Sequence, residues 1–565
     1  MKRIPYGISN FEVLREKDYL YVDKTYYIEL LDIYAPYQFF IRPRRFGKSL
    51  FISMLENYYD INKKDKFEKL FGDLYIGKNP TEERNSFLVW KISFAGVDTG
   101  RGEEELRKSF NEKIILSVEK FMNHYSNLLK DKVISKEIKS AEIAVQYISL
   151  LASKIDKSVL LLIDEYDNFA NELITGGKQS TYNSILHGEG FVKVFYKAVK
   201  DATMDNFNRI FMTGVSPIML DDLTSGFNIT RNYTLDEKLN AMLGFTRKEL
   251  LWIMDEVNIK DAELRKKICE DMIIYYDGYK FNKRSHTVFN PDMSMYFLDN
   301  YLAYNEYPEE MIDNNVKTDY GKVNQLARNF NDREALEEIM SLGETSTILV
   351  DRFNIHTMYS VKENFKSLLF YLGMLTIKEA GPLGTVLKVP NYVIKTIYWE
   401  QHFQKINEDY NIEIQKIRIA VNEMRMYGNI EPLIELLKDI LEYFSNRDLI
   451  QMDEKNVKMM FLTLLGVDGT YFIKSEDENN KGYVDLMLKR KIQFKDITKF
   501  QWIMELKYVK ESDRDTLDKV KEQGLKQLQL YGESKMVQEE LEKEELKKIL
   551  IIVVGKKDIY TVNLI

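Results

Sequence analysis

Over the first 230 positions, short unbroken apolar runs alternate with longer stretches in which apolar residues recur at helical spacing. Phe39-Phe40-Ile41 and Val159-Leu160-Leu161-Leu162-Ile163 are such runs, as expected of strands buried on both faces of a parallel sheet. Arg209-Ile210-Phe211-Met212-Thr213-Gly214 reads as a third strand. Residues 50–55 predict a helix directly after the first run, and residues 135–155 a helix leading into the second. The alternation predicts an α/β core over residues 1–230, a parallel sheet covered by helices.

Beyond that core the pattern turns helical, with helices predicted at residues 238–243 and 247–256. Further on, a helix over 367–372 gives way to a strand at 374–377, the turn Gly381-Pro382-Leu383-Gly384 and a strand at 386–389. A helix followed by a β-hairpin is the outline of a winged-helix element. Residues 231–400 are therefore read as a helical lid with that element, and 401–455 as a helical connector, strongly amphipathic over 433–444. The last segment, 456–565, predicts a second α/β domain. Its order is a helix at 457–465, strands at 470–474, 482–488 and 500–507, a helix at 517–531 and a strand at 548–554.

Composition narrows the class. A chain of 565 residues is too long for one core, so three or more domains are expected. A 45% hydrophobic and 30% charged composition describes a soluble globular protein. Net charge is 80 − 88 = −8, which argues against a uniformly basic nucleic-acid binder but leaves room for a local basic groove. Cys269 is the one cysteine, which excludes a disulfide framework and a cysteine-rich zinc site within the chain. Five histidines leave little material for a histidine metal cluster. The first residues, Met1-Lys2-Arg3-Ile4-Pro5, lack a signal peptide's apolar stretch, and no run approaches the roughly 20 apolar residues of a membrane span. The expectation is a cytoplasmic protein with no membrane partner.

Candidate chemistry sits at the strand ends. The first strand leads into Arg42-Pro43-Arg44-Arg45-Phe46-Gly47-Lys48-Ser49, whose close matches a phosphate-binding loop. Arg44, Arg45 and Gly47 would surround the phosphates, Lys48 would reach the β- and γ-phosphates, and Ser49 would help hold Mg²⁺. The first glycine of G-x-x-x-x-G-K-[ST] is replaced by Arg42. The second strand ends in Asp164-Glu165, one carboxylate for the magnesium shell and one to orient an attacking water. ATP is the expected ligand. Thr213, ending the third strand, lies where a polar residue could sense the γ-phosphate. Arg231 offers a cation for charge developing on a phosphoryl group; its plainer reading is an exposed loop arginine.

In the C-terminal segment Asp485 sits mid-strand among apolar residues, while Glu505 and Lys507, two apart, project from one strand face. Burying three charges together is costly unless they pair or hold a metal. Two carboxylates could hold Mg²⁺ or Mn²⁺, with the lysine positioning or activating water beside a scissile phosphate. The plain alternative for E-x-K is an exposed strand edge with a salt bridge.

Ile4-Pro5-Tyr6-Gly7, Tyr21-Val22-Asp23-Lys24-Thr25, the segment from Arg42 to Ser49 and Thr213-Gly214-Val215-Ser216 together resemble the AAA-ATPase-like family of bacterial and archaeal proteins. Gly244-Phe245-Thr246, Tyr276-Asp277-Gly278-Tyr279 and Asn290-Pro291 extend the resemblance over nearly the whole chain. It implies that the arginine-rich loop start is the family's own form, and that a PD-(D/E)XK nuclease-like domain follows. In that resemblance Glu476 matches an additional acidic position. Gln527 and Tyr531, at i and i+4 on one helical face, match a Q-x-x-x-Y element.

The combined expectation is an α/β protein: a P-loop NTPase sheet with a helical, winged-helix-like region and a C-terminal nuclease-like domain. Such a protein would bind and hydrolyse ATP to control metal-dependent cleavage of nucleic acid, with DNA the expected form and a homo-oligomer an available assembly. The alternative is a regulatory or signalling ATPase whose C-terminal domain binds nucleic acid without cutting it.

Overall fold

The strands β1 (Tyr37–Ile41), β2 (Leu88–Ser93), β3 (Val159–Asp164), β4 (Phe207–Gly214) and β5 (Arg231–Asn232) form a sheet of order β2-β3-β4-β1-β5, parallel throughout. The computed structural model describes residues 2–564 apart from 101, 130–137, 187–189, 220, 222–226, 319–332, 354–360, 444–451, 480–481, 535–536, 538–540, 542–544 and 557. Side chains at 333–334, 409, 443, 476–479 and 482–483 also lie outside the description. Every residue of β3 is buried, as its unbroken apolar run requires of a strand covered on both faces. β4 lies between β1 and β3, so the strand ending in Thr213-Gly214 separates the two that carry the phosphate loop and Asp164.

The chain divides into two compact units. One comprises Met1–Ala303, Met311–Ala335 and Glu344–Tyr392; the other Tyr304–Glu310, Leu336–Gly343 and Val393–Ile565. The first also holds a small antiparallel sheet of order β6-β8-β7, from β6 (Glu344–Thr347), β7 (Thr376–Gly381) and β8 (Gly384–Lys388). β7 and β8 are the expected hairpin after the helix Lys362–Tyr371, while β6, a polar Glu-Thr-Ser-Thr stretch, carries no apolar signal. Among the described residues no helix is long and apolar enough to cross a membrane.

Two helix expectations need correction. Residues 238–243 form turns, because the carbonyls of Leu239 and Asn240 are taken by the Arg42 guanidinium. The separate helix expected over 247–256 is present as Arg247–Glu256, opened by a reciprocal capping box of Thr246 and Glu249. The helix expected over 135–155 runs from Ala141 to Lys154, its start set by an extended Ser140; residues 135–137 lie outside the description.

In the second unit the helices Tyr392–Tyr410, Ile414–Tyr427 and Glu431–Tyr443 precede a mixed sheet. Its strands are β9 (Tyr471–Asn479), β10 (Gly482–Arg490), β11 (Gln501–Val509), β12 (Leu546–Val554) and β13 (Asp558–Leu564). The order is β13-β12-β11-β10-β9, with β11 antiparallel to β10 and parallel to β12. The edge strand β13 was not expected: it is half-buried and too polar to read as a run. Val484, Met487, Ile503, Leu528, Leu550 and Ile552 share one core between this sheet and the helix Leu517–Gly532.

Candidate functional site

The loop after β1 closes on its own lysine. Gly47 stands at the N-cap of the helix Lys48–Tyr59 with φ +89°, a left-handed conformation that a side chain would strain. Lys48 Nζ donates to the carbonyls of Arg42 at 3.0 Å and Pro43 at 2.9 Å. Burial pushes its ammonium down to about 8, against the opposing pull of Asp164, Asp167 and Glu165. Ser49 Oγ donates to Asp164 Oδ2 at 2.6 Å, bringing together the two residues expected to share a metal. Glu165 follows with φ +51°, and burial, then the charge of Asp164, raises its carboxyl above the usual range.

Arg44, Arg45, Gly47, Lys48, Ser49 and Glu165 line one cavity of about 470 Å³. Arg45 has φ +68° and approaches Asp292 Oδ2 at 4.0 Å. Thr213 is buried beside Phe40 on β1, its hydroxyl unpartnered among the described residues. Arg231 is not brought to this cavity: it pairs with Gln38, near the start of β1 and away from the loop, and lies over the Tyr233 ring. Its exposed position is the plainer of its two readings.

Asp167 is a cavity residue that the sequence did not single out. Its carboxylate accepts the Val215 N–H at 3.2 Å, and the Ser216 N–H at 2.7 Å and Oγ–H at 2.9 Å, tying the tip of β3 to that of β4. A Cβ on Gly214 would meet Asp167 Oδ1 at 2.2 Å, so this junction requires glycine.

Arg42, standing where the motif has glycine, is fully buried and faces away from phosphate chemistry. It donates to the carbonyls of Ile41, Thr234, Leu239 and Asn240, and its guanidinium lies 4.2 Å and 3.9 Å from the Phe40 and Phe281 ring centres. Burial lowers it to about 9. The Lys24 motif is a second anchor, with its ammonium on Glu249 at 2.6 Å and the Ala241 carbonyl at 2.9 Å.

In the second unit, Glu505 and Lys507 on β11 meet at 2.7 Å, and Asp485 Oδ2 on β10 accepts the Leu506 N–H at 2.9 Å. Glu505 is 1% exposed and its Oε2 has no partner among the described residues. Burial, followed by the charge of Asp485, raises its carboxyl to about 7. Glu454, the first residue of the helix Glu454–Asp468, reaches Lys507 Nζ at 3.3 Å. Sequence reasoning missed it because the helix was expected only from 457, which left Glu454 in the connector. Tyr531 is raised by burial and by the charges of Glu505 and Asp485, and Gln527 hydrogen-bonds it. The helix thus aims its Gln527–Tyr531 face at the carboxylates. Glu476 lies on β9 with its side chain outside the description.

Two carboxylates on neighbouring strands, one holding an orphaned buried oxygen, fit a divalent cation, which would relieve both burial and mutual repulsion. Among the described residues no group of three or more His, Cys, Asp or Glu is spaced to hold a metal.

A parallel sheet with a lysine, serine and acid at its strand ends defines a P-loop-like α/β domain, and the mixed sheet bearing D…E-x-K a nuclease-like one. Residues 5–224 match the family described as Predicted AAA-ATPase, and residues 452–562 match the PD-(D/E)XK nuclease superfamily. The chain therefore joins a predicted AAA-ATPase domain to a PD-(D/E)XK nuclease superfamily domain. It is also similar to the "Uncharacterized protein in vnfD 5'region" of Azotobacter chroococcum mcd 1, with 25% identity over 400 residues, 70% of this chain and 68% of that protein.

Proposed function

We propose that the first unit binds and hydrolyses ATP and that the second is a metal-dependent nuclease acting on nucleic acid, DNA first among them, under control of the nucleotide. The observation that supports this most is the assembly of motif residues from different elements: Ser49 on Asp164, and Asp485 beside the Glu505–Lys507 pair. In the first site Lys48 and the loop N–H groups bind phosphate, while Glu165, its basicity raised by burial, orients the attacking water. Mg²⁺ there would be held by Ser49 and Asp164 and would neutralise phosphate charge. In the second site Asp485 and Glu505 would hold Mg²⁺ or Mn²⁺, which would polarise a phosphoryl oxygen. Lys507, kept protonated by Glu505 and Glu454, positions water and stabilises charge on the scissile phosphate.

The test incubates purified protein with labelled DNA or RNA, with Mg²⁺ or Mn²⁺ and with or without ATP. Cleavage that needs metal, responds to ATP and vanishes in Asp485→Ala supports the reading. Binding without cleavage under every condition would replace the nuclease by a nucleic-acid-binding domain.

A further inference from the structure

The helix Lys48–Tyr59 carries a polar face that the nucleotide site does not use. Ser53, Glu56, Asn57 and, just past its end, Asp60 recur at i, i+3, i+4 and i+7 and line a separate cavity of about 390 Å³. Across it, Ser117, Lys120, Phe121 and His124 of the helix Glu103–His124 repeat the same spacing. Helices laid on a parallel sheet are expected to turn apolar stripes inward. Here two helices turn largely polar faces toward a common space beside the edge strand β2, which contributes Trp90 and Lys91.

Most polar groups in this cavity are already satisfied. Asp60 accepts from Tyr125 at 2.9 Å and the Asn62 N–H at 2.9 Å, and pairs with His124 at 2.6 Å, a contact that raises the imidazole above its usual value. Glu56 pairs with Lys91, and Glu12 with Lys63 and Lys66. Trp90 Nε1 donates to Ser117 Oγ at 2.9 Å. Two groups are left over. Asn57, 4% exposed, donates through Nδ2 to the Ser53 carbonyl at 2.8 Å, but its Oδ1 is buried with no partner among the described residues. A buried acceptor without a donor is costly, and native proteins rarely keep one. Lys120 is exposed at the rim with no ion pair among the described residues.

We propose that this cavity is a second small-molecule site, taking an organic anion that also carries a hydrogen-bond donor. The anionic group faces Lys120, and an N–H or O–H reaches Asn57 Oδ1. The volume suits a small metabolite. No lining residue is shared with the phosphate-loop cavity. Asp60 lies roughly 16 Å from Ser49 along the helix axis, at about 1.5 Å per residue. The proposal stands whether or not ATP is hydrolysed.

The full-length protein is titrated calorimetrically with D-gluconate and with ribose 5-phosphate, which present this chemistry in carboxylate and phosphate form, and with ribose as the uncharged control. At least one anion is expected to bind tenfold or more tightly than ribose, and excess ATP should not displace it. Lys120→Glu and Asn57→Leu should each weaken that binding at least tenfold. Lys120→Glu lies on an exposed rim and keeps the test decisive if Asn57→Leu does not fold. The proposal fails if neither anion outbinds ribose, if binding survives Lys120→Glu, or if ATP displaces the anion, which would put it in the phosphate loop.

Discussion

Ser49 Oγ donates to Asp164 Oδ2 at 2.6 Å although the two residues stand on elements separated by a whole strand of the sheet. The start of the helix Lys48–Tyr59 therefore leans across the tip of β4 to reach β3. Every cation expected on the phosphates except Arg231 lies on the loop side of that contact.

Lys48 supplies a pH signature. Its ammonium is lowered to about 8, so below that value the loop already carries the proton that bound phosphate favours. Above it, ATP binding must take up a proton, and affinity should fall as pH rises through about 8, by at most about tenfold per unit. The same shift disfavours folding below about 8 and is relieved between there and the ordinary lysine value. Calorimetry just above that pH, in two buffers of different ionisation enthalpy, should register proton uptake in wild type and none in Lys48→Ala, whose ATP affinity also drops. Buffer-independent heats in wild type would remove Lys48 from the phosphates.

Arg42→Gly restores the glycine of the phosphate-loop pattern, yet it should make the protein worse. The arginine fixes the carbonyls of Ile41, Thr234, Leu239 and Asn240, and its loss should destabilise the first unit by on the order of 3 kcal/mol. ATP affinity should fall with it, because Lys48 is held by the carbonyls of residues 42 and 43. Denaturant unfolding and nucleotide titration on the same variant check both. Unchanged stability with tighter ATP binding would show that Arg42 is only a tolerated substitution.

Much of the first site was legible because its residues end strands whose apolar runs are unambiguous, and much of the second because its charges interrupt such runs. Val159 to Ile163 could hardly be anything but a doubly covered strand, and the acids that follow it inherit that certainty. What could not be read depended on partners distant in sequence. The helix expected at 238–243 is cancelled by Arg42, some 200 positions earlier. Asp167 looks like any acid after a strand until Val215 and Ser216 are seen donating to it. Glu454 falls in the stretch read as a connector, ahead of the helix expected at 457–465, and only the fold brings it to Lys507. Arg231 stands apart for the opposite reason, since its parallel register with Gln38 sets it toward the start of β1, away from the loop.

Glu505 should make stability depend on pH in metal-free protein. Its folded-state pKa, raised from 4.5 to about 7, means that the full contribution is present below 4.5 and is lost as pH rises through about 7. Glu505→Gln removes the buried charge and should be the more stable protein above pH 7, by on the order of 2 kcal/mol, with the gap closing toward acid. Thermal melts in chelator across that window measure it. A constant difference at every pH would mean that Glu505 stays charged throughout.

Lys507 and Glu454 should separate by role. Lys507→Ala is expected to keep metal binding and lose cleavage, because it removes a cation and not a ligand. Glu454→Gln, which touches the site through Lys507 alone among the described contacts, should lower the rate less than Lys507→Ala does. Metal titration beside cleavage assays decides it, and a Glu454→Gln variant that loses metal would make Glu454 a ligand.

The final prediction concerns traffic between the two units. If nucleotide controls cleavage, ATP must bind one conformation of the nuclease-bearing protein better than another, since a ligand shifts an equilibrium only by its differential affinity. Reciprocity then obliges nucleic acid to change ATP affinity by the same factor, typically about 5- to 150-fold for coupled sites. Glu165→Gln is the suitable background: it should leave Lys48, Ser49 and Asp164 to bind ATP while removing the group that orients water. ATP affinity in this variant, measured with and without a saturating oligonucleotide, should differ. The Asp485→Ala, Glu165→Gln double variant should show the same difference if nucleic-acid binding, and not cutting, carries the signal. Equal affinities in both variants, with cleavage indifferent to ATP, would leave two independent domains on one chain.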